Sequence, residues 1–172
     1  MPATAPASPA RLAHHPALGL APFDVSAAHP AAAALLRREA DRFSAGALKA
    51  AIEADPTLRS RYDRAALELL LHDAELLVER LAICLGAGDD RMLTDYAEWI
   101  GPIERRRGIV LSDVATLCAG LATALESHLD GDSLEAARHA LGAAATVLRR
   151  NGRLAGDRHG RRAFFKWLYR GV

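Results

Sequence analysis

Two pairs of residues place a carboxylate four positions before an imidazole, a pattern that can bind a metal ion. They are Glu68 with His72 and Glu135 with His139. Residues four apart lie on the same face of a helix, so the two side chains of each pair can meet. Such a pair alone is usually a surface hydrogen bond or a weak ion pair. Because His72 falls on the polar side of its predicted helix, we expect a solvated side chain and no metal site.

A third histidine, His128, continues an apolar stripe that includes Cys118, Leu121 and Leu125. A neutral imidazole in that position could bind the iron of a haem. His128 also stands near the predicted end of a helix, where a cationic imidazole stabilises the last carbonyl groups. We prefer this second interpretation. The first interpretation stays as an alternative, in which haem or another tetrapyrrole is the cofactor and is bound by His128 or His72.

Sequence patterns that are typical of enzymes are missing. There is no glycine-rich phosphate loop, no serine nucleophile turn, no HExxH zinc pattern and no CxxC pair. The two cysteines, Cys84 and Cys118, are too few for a disulfide framework or a thiolate metal site. We therefore predict that the protein is not an enzyme and has no resident cofactor or metal.

The C-terminal segment combines basic and aromatic residues. Four of the nine aromatic side chains of the chain lie between positions 164 and 169. An amphipathic helix of this kind can bind in the groove of a partner protein. Two other interpretations stay open: packing on its own domain as a terminal helix, or binding to an anionic membrane surface. The predicted partner-binding residues are Arg161, Arg162, Phe164, Phe165, Lys166, Trp167, Tyr169 and Arg170.

Charge is distributed unevenly along the chain. Residues 149–172 hold eight basic residues and one acidic residue, a net charge of +7, whereas the other 148 residues hold 14 basic and 20 acidic residues, a net charge of −6. Basic charge gives nonspecific affinity for nucleic acid, but the acidic body opposes it. We expect a protein partner, keep an anionic membrane surface as the alternative, and do not expect nucleic acid.

Composition predicts an all-α fold. The sequence contains 37 alanines and 26 leucines among 172 residues, both strong helix formers, while valine and isoleucine, which favour strands, are scarce. Residues 1–28, rich in alanine and proline, are predicted to be a flexible leader. No stretch approaches the ~18 uncharged apolar residues of a membrane span, and the leader lacks the apolar run of a signal peptide. We therefore expect a cytoplasmic protein.

Capping residues, prolines and glycines divide the chain into about seven helices. The main ones are predicted over residues 30–43, 45–54, 56–85, 91–107, 113–129 and 134–150. Their first turns are assigned to Pro30, Ser44, Asp55, Ser112 and Ser133. Three consecutive arginines, at positions 105–107, end the fourth of these helices. Most of that run should be solvated, and one arginine can pair with a carboxylate elsewhere in the fold.

Several short motifs follow one another through the middle of the chain. They are Arg61-Tyr62 and the following helix through Asp73, Gly88-Asp89, Tyr96-Ala97-Glu98-Trp99, Arg106-Arg107-Gly108-Ile109 and the helix from Ser112 to Leu125. Their order over about residues 30–150 resembles the sensor-globin superfamily. That group includes haem-bearing globin-coupled sensors and the haem-free globin-like N-terminal domains of stressosome regulators. The resemblance implies a globin-like helical bundle.

The chain departs from the haem-bearing members at one position. Those members place the iron-ligating histidine four residues ahead of the glycine of the Gly-Ile turn, and here that residue is Glu104. No histidine lies between Asp73 and Ser127. Because a carboxylate cannot replace a neutral imidazole, the resemblance implies the haem-free branch, the stressosome-type regulators.

The resemblance also implies a homodimer in which the last two long helices of each subunit form a four-helix bundle. Carried over, the interface would use Leu117, Leu121, Leu125, Leu141, Ala145 and Leu148. We thus expect a regulatory or adaptor protein with three parts: a leader over residues 1–28, a globin-like helical domain over 29–152 and a basic aromatic segment over 153–172.

Overall fold

The computed structural model describes residues 27–156, and within this range the chain is helical without a strand. Seven helices follow one another, which confirms the predicted all-α class and helix number. They are α1 (Pro30–Arg38), α2 (Ala40–Ala54), α3 (Leu58–Arg61), α4 (Arg64–Ala87), α5 (Arg91–Arg107), α6 (Leu111–Leu125) and α7 (Gly131–Leu154). The predicted flexible leader and most of the basic aromatic segment lie outside the described residues.

The first predicted helix is divided in two. Pro30 begins α1 as expected, but the helix ends at Arg38, and Glu39 leaves the helical conformation with φ −116° and ψ 30°. The carboxylate of Glu39 accepts hydrogen bonds from Arg38 at 3.2 Å and from Arg42 at 2.9 Å. Ser44, the predicted cap, is instead a buried residue inside α2.

The long predicted third helix also begins later than expected. The short helix α3 intervenes, and α4 starts only at Arg64. Asp63 is the residue that caps α4, because its side chain accepts a 2.8 Å hydrogen bond from the Ala66 backbone N–H. Asp55, the predicted cap, binds Thr57 instead. At the other end, Gly88 adopts the left-handed conformation, with φ 67°, that closes the helix as predicted.

The last three helices keep their predicted order with shifted starts. Helix α5 continues through Pro102 and ends at Gly108, which has φ 84°. Helix α6 begins at Leu111, so Ser112 lies inside its first turn, and it ends at Leu125 and not at 129. Asp130 caps α7 by accepting from the Ser133 backbone N–H at 2.8 Å. Ser133, which was predicted to cap this helix, therefore donates the capping hydrogen bond, and Asp130 accepts it.

A core of leucine and alanine side chains joins the helices. Its largest fully buried members include Phe43, Leu77, Leu93 and Leu121. Helices α2 and α6 approach most tightly at Gly120, where an added Cβ would stand 2.3 Å from the backbone oxygen of Ala47. None of the described helices combines the length and the apolar character that are needed to cross a membrane.

Candidate functional site

Two carboxylic acids meet inside the core where α4 and α5 pack together. Asp73 of α4 and Glu104 of α5 are both 0% exposed. Arg107, one turn after Glu104, places Nη1 3.0 Å from Glu104 Oε1 and 3.5 Å from Asp73 Oδ1. The first distance is a hydrogen bond and the second is an ion-pair contact. We refer to Asp73, Glu104, Arg107, Tyr96 and Arg80 as the carboxyl cluster.

Five buried polar atoms of the carboxyl cluster have no hydrogen-bond partner among the described residues. Among the described residues, both oxygens of Asp73 and Oε2 of Glu104 receive no hydrogen bond. The Tyr96 hydroxyl and the Nε atom of Arg80 are buried and unpartnered as well. Buried polar groups are nearly always satisfied in folded proteins. The concentration of such atoms at one point makes this cluster the candidate site.

The environment of the cluster favours the neutral form of Asp73. Burial first, and then the neighbouring Glu104 carboxyl, raise the pKa of Asp73 to about 8, while Arg107 acts in the opposite direction. Burial also raises the pKa of the Tyr96 hydroxyl, with further contributions from Asp73 and Glu104. An ionised carboxylate is costly in such surroundings unless it is paired.

Only part of the carboxyl cluster was recognisable from the sequence. The expectation that one of the three arginines pairs with a carboxylate elsewhere is confirmed, since Arg107 of α5 reaches Asp73 of α4. Glu104 was singled out only through the resemblance, and Asp73 was not recognised as a site residue. A signal for Asp73 was present: it lies three residues after Leu70 and four before Leu77, on the apolar stripe that faces the core.

A third buried carboxylate, that of Asp113, has hydrogen-bond donors on both of its oxygens. Asp113, at the start of α6, receives Arg61 Nη2 on Oδ1 at 2.9 Å and the Tyr62 hydroxyl on Oδ2 at 2.6 Å. The Tyr62 oxygen in turn accepts from the Val110 backbone N–H at 3.0 Å. This network fastens the α3 end to the start of α6 and gives Arg61-Tyr62 a structural role.

Helix α5, which carries three residues of the carboxyl cluster, also exposes large apolar side chains. Trp99 is 64% exposed and Met92 is 44% exposed. Together with Arg80, Asp95 and Tyr96 they line an open groove of 320 Å³. The Tyr96 ring lies 6.2 Å from that of Trp99, and the Arg80 guanidinium carbon lies 5.8 Å from the centre of the Tyr96 ring. Tyr96 thus links the surface groove to the buried acids.

The candidate histidines lie away from this cluster. His72 is exposed, and its Nδ1 contacts Glu75 at 3.1 Å, whereas Glu68 binds Arg64. His139 contacts Asp90 at 3.3 Å. Neither of the two predicted carboxylate–imidazole pairs forms. Over residues 27–156, no three side chains of the ligand-forming types are grouped in a way that could hold a metal ion.

His128 is held by its neighbours at the end of α6. Its ring packs edge-on against Phe43, with ring centres 5.4 Å apart. Nε2 lies 2.7 Å from Arg42 Nη2, and Nδ1 lies 3.0 Å from the Ser127 hydroxyl. Both ring nitrogens of His128 therefore have polar neighbours. His128 lies three residues beyond the end of α6, and both the cationic imidazole and the tetrapyrrole alternative stay predictions.

The six residues assigned to a dimer interface are core residues of the single chain. Each is at most 4% exposed: Leu117, Leu121, Leu125, Leu141, Ala145 and Leu148. They belong to the same core cluster, which extends over α6 and α7, so a second copy cannot touch them without opening that core. The residue assignment is corrected on this point, since the stripe was read as facing a partner when it faces the chain's own helices. The homodimer itself stays a prediction.

The predicted partner-binding residues, positions 161–170, lie outside the described residues. Comparison with known proteins adds no family to these observations. No protein-family model matches the chain, and no curated protein matches it.

Proposed function

We propose that this chain is a non-enzymatic regulatory or adaptor protein of the cytoplasm. In this proposal a haem-free, globin-like helical domain forms a homodimer and engages a protein partner through its basic aromatic C-terminus. The observation that carries the proposal is the setting of Glu104. This residue stands at the position of the iron ligand in haem-bearing relatives of the fold it resembles, and it is fully buried against Arg107 and Asp73.

The setting of Glu104 supports the haem-free branch over the tetrapyrrole alternative. Haem proteins of the globin type hold iron through a neutral imidazole, and the carboxyl cluster offers none. Nδ1 of His72 contacts Glu75, and Nε2 of His128 contacts Arg42.

Absorbance spectra of the protein mixed with haem test this step. We expect no Soret band that depends on either histidine. A band that is lost in His128→Ala or in His72→Ala would contradict the haem-free assignment. The Arg106→Gln variant, altered at an exposed position of α5, provides the control.

The exposed side chains of α5 support a role that depends on contact. Trp99 is the most exposed of the described aromatic residues, and Met92 lies in the same groove. Tryptophan and methionine are enriched in the buried centres of protein interfaces. A domain that offers such residues outward is suited to binding another protein.

The C-terminal segment is proposed as the main partner-binding element because its aromatic and basic residues alternate in a pattern suited to an amphipathic helix. The direct test uses a triple variant, Phe164→Ala/Phe165→Ala/Trp167→Ala. Proteins that cross-link to the full chain in the cells that produce it are identified and purified. Each is then titrated against the wild-type chain and against the triple variant. We expect a partner that binds the full chain and binds the triple variant at least tenfold more weakly.

Two results would contradict this assignment. A triple variant with a markedly lower melting temperature would mean that the segment packs on its own domain. Binding confined to anionic vesicles, weakened by salt, would mean a membrane surface. Lys49→Ala serves as the control, because it removes an exposed side chain from α2 while leaving the α5 groove and residues 157–172 unchanged.

The proposed homodimer must use the outward faces of α6 and α7. Exposed positions there include Ala119, Thr123, Gly142 and Thr146. Sedimentation velocity of the wild-type chain should give a dimer, and Ala119→Arg/Thr146→Arg should shift it to a monomer with unchanged helix content. A wild-type chain that is monomeric at all accessible concentrations would contradict the dimer.

A further inference from the structure

The carboxyl cluster has an imbalance between acids and donors. Its two acids present four oxygen atoms in a closed part of the core, and among residues 27–156 a hydrogen-bond donor reaches only Oε1 of Glu104, from Arg107. Two adjacent carboxylates that are both ionised are costly in such a place, because their repulsion adds to the cost of burial. A carboxylic acid next to a carboxylate avoids both penalties, since the acid donates a hydrogen bond to its neighbour.

We propose that Asp73 and Glu104 form a binding site for a single proton, which they share in a carboxylic acid–carboxylate hydrogen bond balanced by Arg107. The proton comes from solvent and returns to it, so no other reactant takes part. With the proton bound, one negative charge faces one guanidinium. Without it, two negative charges face Arg107 in the core. The site belongs to the helical domain and does not depend on whether residues 157–172 bind a partner.

The groups that face the pair favour a proton over a metal ion. Helix α4 supplies Asp73 and Arg80, and helix α5 supplies Tyr96, Glu104 and Arg107. Among the described residues, no charged side chain of α6 or α7 contributes to the electrostatic surroundings of Asp73. Arg107, which contacts both acids, repels a metal cation. A proton can still bind there, because it neutralises one acid and brings no further charge.

The Tyr96 hydroxyl is the feature that connects proton binding to the surface. It is buried without a partner, in a residue that is 7% exposed, and it lies in the field of both acids. When the proton leaves, Tyr96 can donate to the second carboxylate. Because the Tyr96 ring packs on Trp99, such a movement changes the exposed groove on α5. The site therefore couples pH to the shape of a contact surface.

The burial that raises the pKa of Asp73 to about 8 sets the pH range. The ordinary aspartate pKa is 3.8, so the folded protein binds a proton that the unfolded chain has released between these values. The stabilisation from this site is complete below pH 3.8, declines as the pH rises, and is lost above about 8.

The decisive experiment compares urea unfolding of wild type and Asp73→Asn, in the full chain, from pH 5 to pH 9. The asparagine amide can donate to Glu104 at every pH and so imitates the bound proton. We expect the unfolding constant of wild type, divided by that of the variant, to rise with pH by up to about tenfold per unit. Histidines and other acids titrate in both proteins and cancel in this ratio.

The second variant, Glu104→Gln, removes the neighbouring charge and should reduce the same pH dependence, while the burial of Asp73 keeps part of it. Glu75→Gln, at a more exposed position of α4, should retain it. A wild-type to Asp73→Asn ratio that does not change with pH would overturn the proposal. So would a pH dependence that is undiminished in Glu104→Gln, which keeps the test valid if Asp73→Asn fails to fold.

Coupling to the surface is measured without disturbing the cluster. In the Trp167→Phe chain, Trp99 is the single tryptophan. Its emission should titrate with the same midpoint as the unfolding ratio, and Asp73→Asn in that background should abolish the change. Emission that does not follow the protonation of the site would overturn the coupling to the groove.

Discussion

Glu104 lies one helical turn before Arg107, and its Oε1 atom accepts a 3.0 Å hydrogen bond from Arg107 Nη1. The same nitrogen lies 3.5 Å from Oδ1 of Asp73. A half-exposed arginine at the end of α5 thus supplies the charge that two fully buried acids need. Because these contacts join α4 to α5, they tie the ionisation of the core to the packing of the two helices.

Removal of the Arg107 charge should destabilise the protein, most strongly at high pH. In Arg107→Gln the buried acids lose a charge-assisted hydrogen bond, and we expect a loss of about 1.5–3 kcal/mol in the free energy of unfolding. The loss should be larger at pH 9 than at pH 6, since the second acid is then ionised. Urea unfolding at both pH values measures this, with Arg106→Gln, an exposed neighbour, as the control. Equal losses in the two variants would show that Arg107 does not serve the pair.

The hydroxyl groups of Tyr62 and Tyr96 should differ in their contribution to stability. Tyr62→Phe leaves Oδ2 of Asp113 and the Val110 N–H without their shared partner, and should cost about 1–3 kcal/mol. Tyr96→Phe removes a buried hydroxyl that has no partner, so its effect should be close to zero or stabilising at pH 6. Chemical denaturation of both variants provides the comparison. A larger loss for Tyr96→Phe would contradict both the hydrogen bonds of Tyr62 and the lack of a described partner for the Tyr96 hydroxyl.

Two glycines of the last helices should respond in opposite directions to alanine. A Cβ at Gly120 would stand 2.3 Å from the Ala47 backbone oxygen, and at Gly142 it would meet nothing within 4 Å. Gly120→Ala should therefore force α2 and α6 apart, at a cost of about 1–3 kcal/mol. Gly142→Ala, on the exposed face of α7, should stabilise by about 0.5–1 kcal/mol through helix propensity. Thermal unfolding separates them, and a stable Gly120→Ala protein would refute the close α2–α6 approach.

The class of the fold was predictable because composition and periodicity act on every residue. Alanine and leucine at three- and four-residue spacing predict helices, and Gly88 and Gly108 end them as expected. The starts were less predictable because several polar residues compete to cap each helix. Asp63 and Asp130 accept the capping hydrogen bonds, whereas Asp55 and Ser133, equally suitable by type, do not.

The candidate site was predictable only in part because it depends on contacts between distant positions. Asp73 and Glu104 are separated by 30 residues, and no local pattern reveals that their side chains meet. The arginine run predicted a cation at the end of α5, whereas the position of Asp73 between Leu70 and Leu77 was a signal that went unrecognised. Which arginine reaches which acid follows from the crossing of α4 and α5, which only the fold determines.

The most direct measurement of the central claim is the titration of the Asp73 side chain itself. Carbon-13 NMR of the full chain with labelled aspartate follows each carboxyl carbon with pH, and Asp73→Asn assigns the signal. We predict that Asp73 titrates with a midpoint near 8, the pKa that its burial beside Glu104 imposes. A midpoint near the ordinary value of 3.8 would show that Asp73 is ionised at neutral pH and would contradict the shared proton.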